Sequence, residues 1–99
     1  MKELNDFEIS AFGRPPTPGI YAIWARNNFY ESGSIHLLYI GSSNNIHNRL
    51  SNNFHPYKVA FNRLPGMVWV SFIETDNIRE NEKYLINKHN PILNKQLCL

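Results

Sequence analysis

Cysteine is almost absent from this sequence. Cys98 is the only one in 99 residues, which excludes an internal disulfide and any cysteine-rich zinc site. A single thiol fits a reducing compartment. Long apolar runs are also missing: none approaches the roughly 18 residues that a membrane helix needs, so no membrane partner is expected. Charge of one sign is scarce as well. Ten Lys and Arg stand against eight Asp and Glu, a formal charge of +2, with no block of like charge. That balance permits nucleic-acid binding without enforcing it. The opening residues mix Lys2, Glu3, Asn5, Asp6 and Glu8 with isolated apolar side chains, unlike a secretory leader, and a cytoplasmic location is expected. No internal repeat or low-complexity segment is evident. What is present is ordinary for one folded domain: 42% hydrophobic and 18% charged residues, too apolar for disorder. Aromatics are plentiful at 13%, enough to serve both core volume and surface chemistry.

Proline and glycine set the punctuation. Gly13-Arg14-Pro15-Pro16-Thr17-Pro18 cannot propagate a helix or a central strand, so residues 1–17 read as an N-terminal arm and 18–99 as the domain. Gly19-Ile20-Tyr21-Ala22-Ile23-Trp24 predicts a strand with bulk on both faces. Polar residues 26–35 predict a long hairpin loop, and 36–41 a second, nearly continuous apolar strand in a central position. Ser42-Ser43-Asn44-Asn45 is a helix-start cluster. After it Ile46, Leu50 and Phe54 recur at i, i+4 and i+8, with Arg49 and Asn53 on the same side. Pro56 should disturb that helix, and a short second one is expected over 57–64 before Pro65-Gly66. Residues 67–73 form the clearest strand pattern. Asn77 and Glu80 have capping-box spacing at the start of a helix that runs to about His89, where Pro91 blocks continuation. The order is β-β-α-(α)-β-α. It predicts an α+β fold, a small α/β sandwich whose three-stranded, mainly antiparallel sheet is flanked by helices.

Four side chains stand out against this frame. On the last helix, Ile78, Leu85 and Ile86 define the apolar arc, and Glu82 and His89 project into it. A carboxylate facing a sheet must be paired, protonated or bound to a cation, because burying it alone costs several kcal/mol. Glu82 is therefore either salt-bridged to an inward Arg or Lys, or a hard oxygen ligand suited to Mg²⁺ or Mn²⁺. Arg49 is either a snorkelling surface residue or a fork of donors aimed at a phosphate. The two could neutralise each other or flank one phosphodiester. Tyr21 and Tyr39 sit on the two hairpin strands, where amphipathic core packing is the plain reading.

The neighbours of those tyrosines carry a resemblance. Gly19-Ile20-Tyr21 on the first strand and Tyr39-Ile40-Gly41 on the second resemble the paired signatures of the GIY-YIG nuclease family. Arg49 follows in a helix, Glu82 in the C-terminal helix, and Asn94 within Asn90-Pro91-Ile92-Leu93-Asn94. The likeness spans residues 18–94. It implies a divalent-metal-dependent endonuclease that hydrolyses DNA phosphodiester bonds with one Mg²⁺ or Mn²⁺ ion. By that resemblance Glu82 binds the metal, Arg49 holds the scissile phosphate, and Tyr21 accepts a proton from the attacking water or orients it. Tyr39 joins the same network, Asn94 holds the site's shape, and Gly19 and Gly41 allow close backbone approach.

One departure is plain. Many members carry His or Tyr one helical turn after the Arg, and here that position is Asn53, which cannot take up a proton. His55, beside Pro56, is the candidate substitute, ahead of His47. Many relatives also pair this domain with a DNA-recognition module or partner subunit, which raises a protein partner or homodimer as an expectation. Lys58, Arg63, Lys83, Lys88 and Lys95 are candidates to line a groove, and Phe29, Tyr30 and Tyr57 to stack on bases. The leading expectation is a stand-alone nuclease on DNA, including branched or damaged DNA, in a repair, mobile-element, phage or restriction setting. Its rivals are a non-catalytic nucleic-acid-binding module and a subunit active only in a complex.

Overall fold

Residues from Gly19 onward read as an unbroken apolar run because the strand they form is covered on both faces. The structure is a computed structural model, and it describes residues 1–9, 14–27, 34–52, 58 and 67–97. Among these, β1 (Glu8–Ile9), β2 (Gly19–Asn27), β3 (Ser34–Ser43) and β4 (Val68–Glu74) build one antiparallel sheet in the order β1-β4-β2-β3. Three α-helices accompany it: α1 (Ile46–Leu50), α2 (Ile78–His89) and α3 (Ile92–Leu97). The α+β architecture is the one the element order predicts. No helix among the described residues is long and apolar enough to cross a membrane.

Two cores lie against the two faces of β2. On the first, Tyr21 and Ile23 pack with Val68 and Val70 of β4 and with Ile46 and Leu50 of α1. On the second, Ile20, Ala22 and Ile40 pack against Leu85 of α2, flanked by Leu4, Phe7, Trp24 and Tyr84. A side chain such as Ile20, Ile40 or Leu50, fully buried here, contributes about 1.5–3 kcal/mol. A bulge refines the pairing. Ile23 opposes Tyr39 but Trp24 opposes Leu37, so Leu38 is the extra residue of β3. Leu38 and Tyr39 consequently pack against the first core while Leu37 packs against the second.

The sheet has four strands, where three were expected. The fourth comes from the segment read as an arm: Glu8 and Ile9 pair with Phe72 and Ser71 of β4. That segment is tied down further along. Lys2 N–H donates to Asn81 Oδ1 at 2.8 Å, and Glu3 accepts from Tyr84 and from Lys88 Nζ, the latter at 2.7 Å. The Lys88 hydrogen bond holds the Glu3 carboxylate below its ordinary value, and the same bond holds Lys88 above its own. The proline-rich stretch is also built in. Its carbonyls accept from the first amides of α1, Thr17 from Ile46 at 3.1 Å and Pro15 from His47 at 3.2 Å. Prolines have carbonyls but no N–H, and a helix start has N–H groups without carbonyls, so each satisfies the other.

Boundaries shift where backbone pairing outruns side-chain pattern. Four residues of the expected 26–35 loop belong to the ladder, with Arg26 opposite Ile35 and Asn27 opposite Ser34. β3 continues through Ser42 and Ser43, while the helix starts at Ile46 as its spacing predicts, capped by Asn45 of the start cluster, whose side chain accepts from Asn48 N–H at 3.0 Å. Asn77 does precede α2, but no capping box forms, because its amide donates to the Glu80 carboxylate at 3.0 Å instead of serving the backbone. α2 ends on Asn90 in the left-handed conformation (φ 51°), and beyond Pro91 a further helix, α3, follows. The expected helix over 57–64, the Phe54 end of the α1 stripe and Pro56 lie outside the described residues, apart from Lys58.

Candidate active site

Tyr21 is the centre of the arrangement. Its side chain is buried in the first core, 1% exposed, with the Tyr39 ring 6.1 Å away, centroid to centroid, at a tilt of 35°. Directly across the ladder stands Gly41. A Cβ at Gly41 would collide with the hydroxyl and ring of Tyr21 and with the Tyr39 ring, so the second motif's glycine is the space in which the first motif's phenol sits. Gly19 is needed in the same way, since a Cβ there would strike Ile46 of α1 and the Ile73 carbonyl. The requirement is room, not an unusual backbone angle.

Arg49 comes from α1, whose Ile46 and Leu50 pack in the same core as Tyr21. It is exposed, and its guanidinium is near enough to oppose a rise in the Tyr21 pKa. Glu82 comes from the other side of the sheet. It is half-buried on α2, and one carboxylate oxygen, Oε2, accepts from the Ser42 hydroxyl. Ser42 follows Gly41 on β3, and alternation turns its side chain to the α2 face. Among the described residues the only ion pair is Lys88–Glu3, so Glu82 and Arg49 do not neutralise each other. His89, expected in the same arc as Glu82, is exposed instead. Among the described residues β3 is the edge strand on this side, not the central strand its apolar run suggests, because α2 and α3 pack against it in place of a further strand. A ligand meeting both Arg49 and Glu82 must lie along it.

Burial pushes the Tyr21 phenol well above its ordinary range, and the neighbouring Tyr39 and the Glu82 charge add to the rise. Arg49 opposes that rise without cancelling it. Tyr21 is therefore neutral, able to donate one hydrogen bond and accept others. The fold favours this neutral form, so its share of stability is complete below about pH 10 and is lost as pH rises further. In a phenolate absorbance titration of the five tyrosines, Tyr21 is expected to ionise last, and only as the protein unfolds. Loss of that late step in Tyr21→Phe checks the assignment; a parent protein whose tyrosines all titrate together would contradict it.

Asn94 is 6% exposed on α3, with its amide against the free edge of β3. The side-chain oxygen accepts from Ile40 N–H and Nδ2 donates to the Ile40 carbonyl, both at 2.8 Å. The amide thus acts as a one-residue strand partner on the side of Ile40 that faces away from β2, where no strand pairs among the described residues.

His55 and Asn53 lie outside the described residues, as do Phe29, Tyr30, Tyr57 and Arg63, and the side chain of Lys95 does too. His47 is exposed on α1, Lys58 is half-buried, and Lys88 is committed to Glu3. Ser42 is the site residue that sequence reasoning missed. Its type suits a helix start, and only the extension of β3 by two residues, with strict alternation, would have turned it toward α2. Known protein families, curated proteins and solved structures offer no match to this chain.

Proposed function

We propose that this protein is a divalent-metal-dependent endonuclease that hydrolyses DNA phosphodiester bonds, as its resemblance to the GIY-YIG nucleases implies. One observation carries the reading. The two motif strands pair so that Tyr21 and Tyr39 lie side by side under α1, the helix that carries Arg49, while Glu82 is tied to Ser42 next to Gly41 of the same hairpin.

The residues fit a single Mg²⁺ or Mn²⁺ ion. Among the described residues no three of His, Cys, Asp and Glu gather into a multi-ligand cage. Mg²⁺ typically takes one or two carboxylates and leaves its other positions to water and substrate phosphate. Glu82 supplies that share: Ser42 occupies Oε2, and among the described residues Oε1 has no partner. When bound, the ion would stabilise charge developing on the phosphate and the leaving oxygen. The chain's own groups do the rest. Arg49 offers donors to a non-bridging phosphate oxygen and remains accessible for that purpose. Tyr21, neutral, orients the attacking water through its hydroxyl, and Tyr39 extends the same network.

A second reading has a specific observation in its favour. A buried phenol with a raised pKa is a poor base, and the position that often carries His or Tyr is Asn53. A nucleic-acid-binding module that kept the fold would look the same. The deciding experiment is a nicking assay on supercoiled plasmid and branched oligonucleotides with Mg²⁺, Mn²⁺ or EDTA. Cleavage that requires metal is the expected result; binding without cleavage on every substrate would establish the module instead.

A further inference from the structure

Helix α2 carries two cations beside Glu82 that no described residue pairs. Arg79 and Lys83 lie one helical turn apart on the same exposed face, and Glu82 sits at the border between that face and the buried one. Together with Ile86 and Asn87 they line a groove of about 320 Å³. Glu82 is within a turn of both cations, yet its carboxylate turns to Ser42. Glu80, the other acid of this helix, is held by Asn77. Lys88, by contrast, is taken by Glu3 on a different side of α2. Among the described residues neither Arg79 nor Lys83 has an ion-pair or hydrogen-bond partner. Two free cations and an apolar wall, continuous with the carboxylate of the candidate site, suit neighbouring phosphates of one strand with a sugar against Ile86.

We propose that Arg79 and Lys83 form a phosphate clamp that holds the DNA strand on either side of the phosphate presented to Glu82. The clamp sets affinity and register, not chemistry. The inference rests on the nuclease reading for the identity of its ligand.

The test uses Arg79→Gln/Lys83→Gln beside a charge-matched control, Lys2→Gln/Lys88→Gln, each checked for fold by circular dichroism. Binding of a labelled DNA duplex is followed by anisotropy in EDTA across a salt series. Each phosphate contact adds about 0.9 to the slope of log affinity against log salt, so the clamp variant should lose about 1.8 and the control far less. In the nicking assay the same variant should raise KM about tenfold with kcat nearly unchanged. A slope and KM equal to the control's would overturn the clamp, and so would a parent protein that does not bind DNA. The two proposals fail separately. Parent cleavage with an unaltered clamp variant removes the clamp alone, whereas a flattened salt slope without any parent cleavage keeps the clamp and removes the nuclease reading.

Discussion

Glu82→Gln is expected to lower metal-dependent nicking by about a thousandfold while the protein stays folded and still binds DNA. A cation at a developing phosphate charge is worth several kcal/mol, and about 1.4 kcal/mol corresponds to tenfold in rate. Glutamine keeps the volume of the side chain and an oxygen that can accept from Ser42, so the half-buried position on α2 is not emptied. What it removes is the charge that would hold the ion. Had Glu82 only a structural role, the same variant would be nearly silent in the assay. Ser42→Ala grades the effect: removing a partner that orients a metal-binding carboxylate costs about ten- to a hundredfold. Excess Mn²⁺ should recover much of the Ser42→Ala loss and little of the Glu82→Gln loss, since the first variant keeps its carboxylate. Nicking by Glu82→Gln at the parent's rate would remove Glu82 from the mechanism altogether.

How much of this was legible depends on whether an element leaves a side-chain pattern. β2 does, because both its faces are buried and Ile20 through Trp24 must all be bulky or tightly packed. α2 does, because Ile78, Leu85 and Ile86 keep a helical period, and the same period places Glu82 at the margin of the buried arc. β1 leaves none: it is two residues long, both exposed, and is joined by backbone bonds that any side chain allows. The bulge at Leu38 is invisible for a related reason, since the continuous apolar run Leu37–Ile40 fits either register. α3 is hidden behind Pro91, which reads as a terminator, yet here one helix ends at left-handed Asn90 and another begins. At the site, the tyrosines and glycines could be placed because strand pairing is local. Their meeting with Glu82 depends on Ser42, a contact across 40 residues of sequence for which the local pattern carries no signal.

Asn94→Ala is expected to destabilise the fold by about 3 kcal/mol, out of a total of roughly 5–15 kcal/mol for a domain of this size. The amide bonds both backbone groups of Ile40 at an edge that, among the described residues, no further strand covers, in a position 6% exposed. Truncation leaves a buried N–H and a buried carbonyl unpaired, each costing about 1–3 kcal/mol. For a chain of this length the melting temperature should fall by more than about 10 °C. Asn94→Asp separates this hydrogen-bonding role from a charged one. At neutral pH a carboxylate still accepts from Ile40 N–H but faces the Ile40 carbonyl with a lone pair, so that variant should also be destabilised. Protonation restores a donor toward the carbonyl. The folded pKa of the introduced acid is therefore raised, and its penalty should shrink as pH falls through that value. The parent has no acid at this position and should show no such gain. Thermal melts of the two variants and the parent between neutral and mildly acidic pH decide the matter: a flat difference for Asn94→Asp, or an Asn94→Ala variant as stable as the parent, would mean that the amide does not hold the edge of β3.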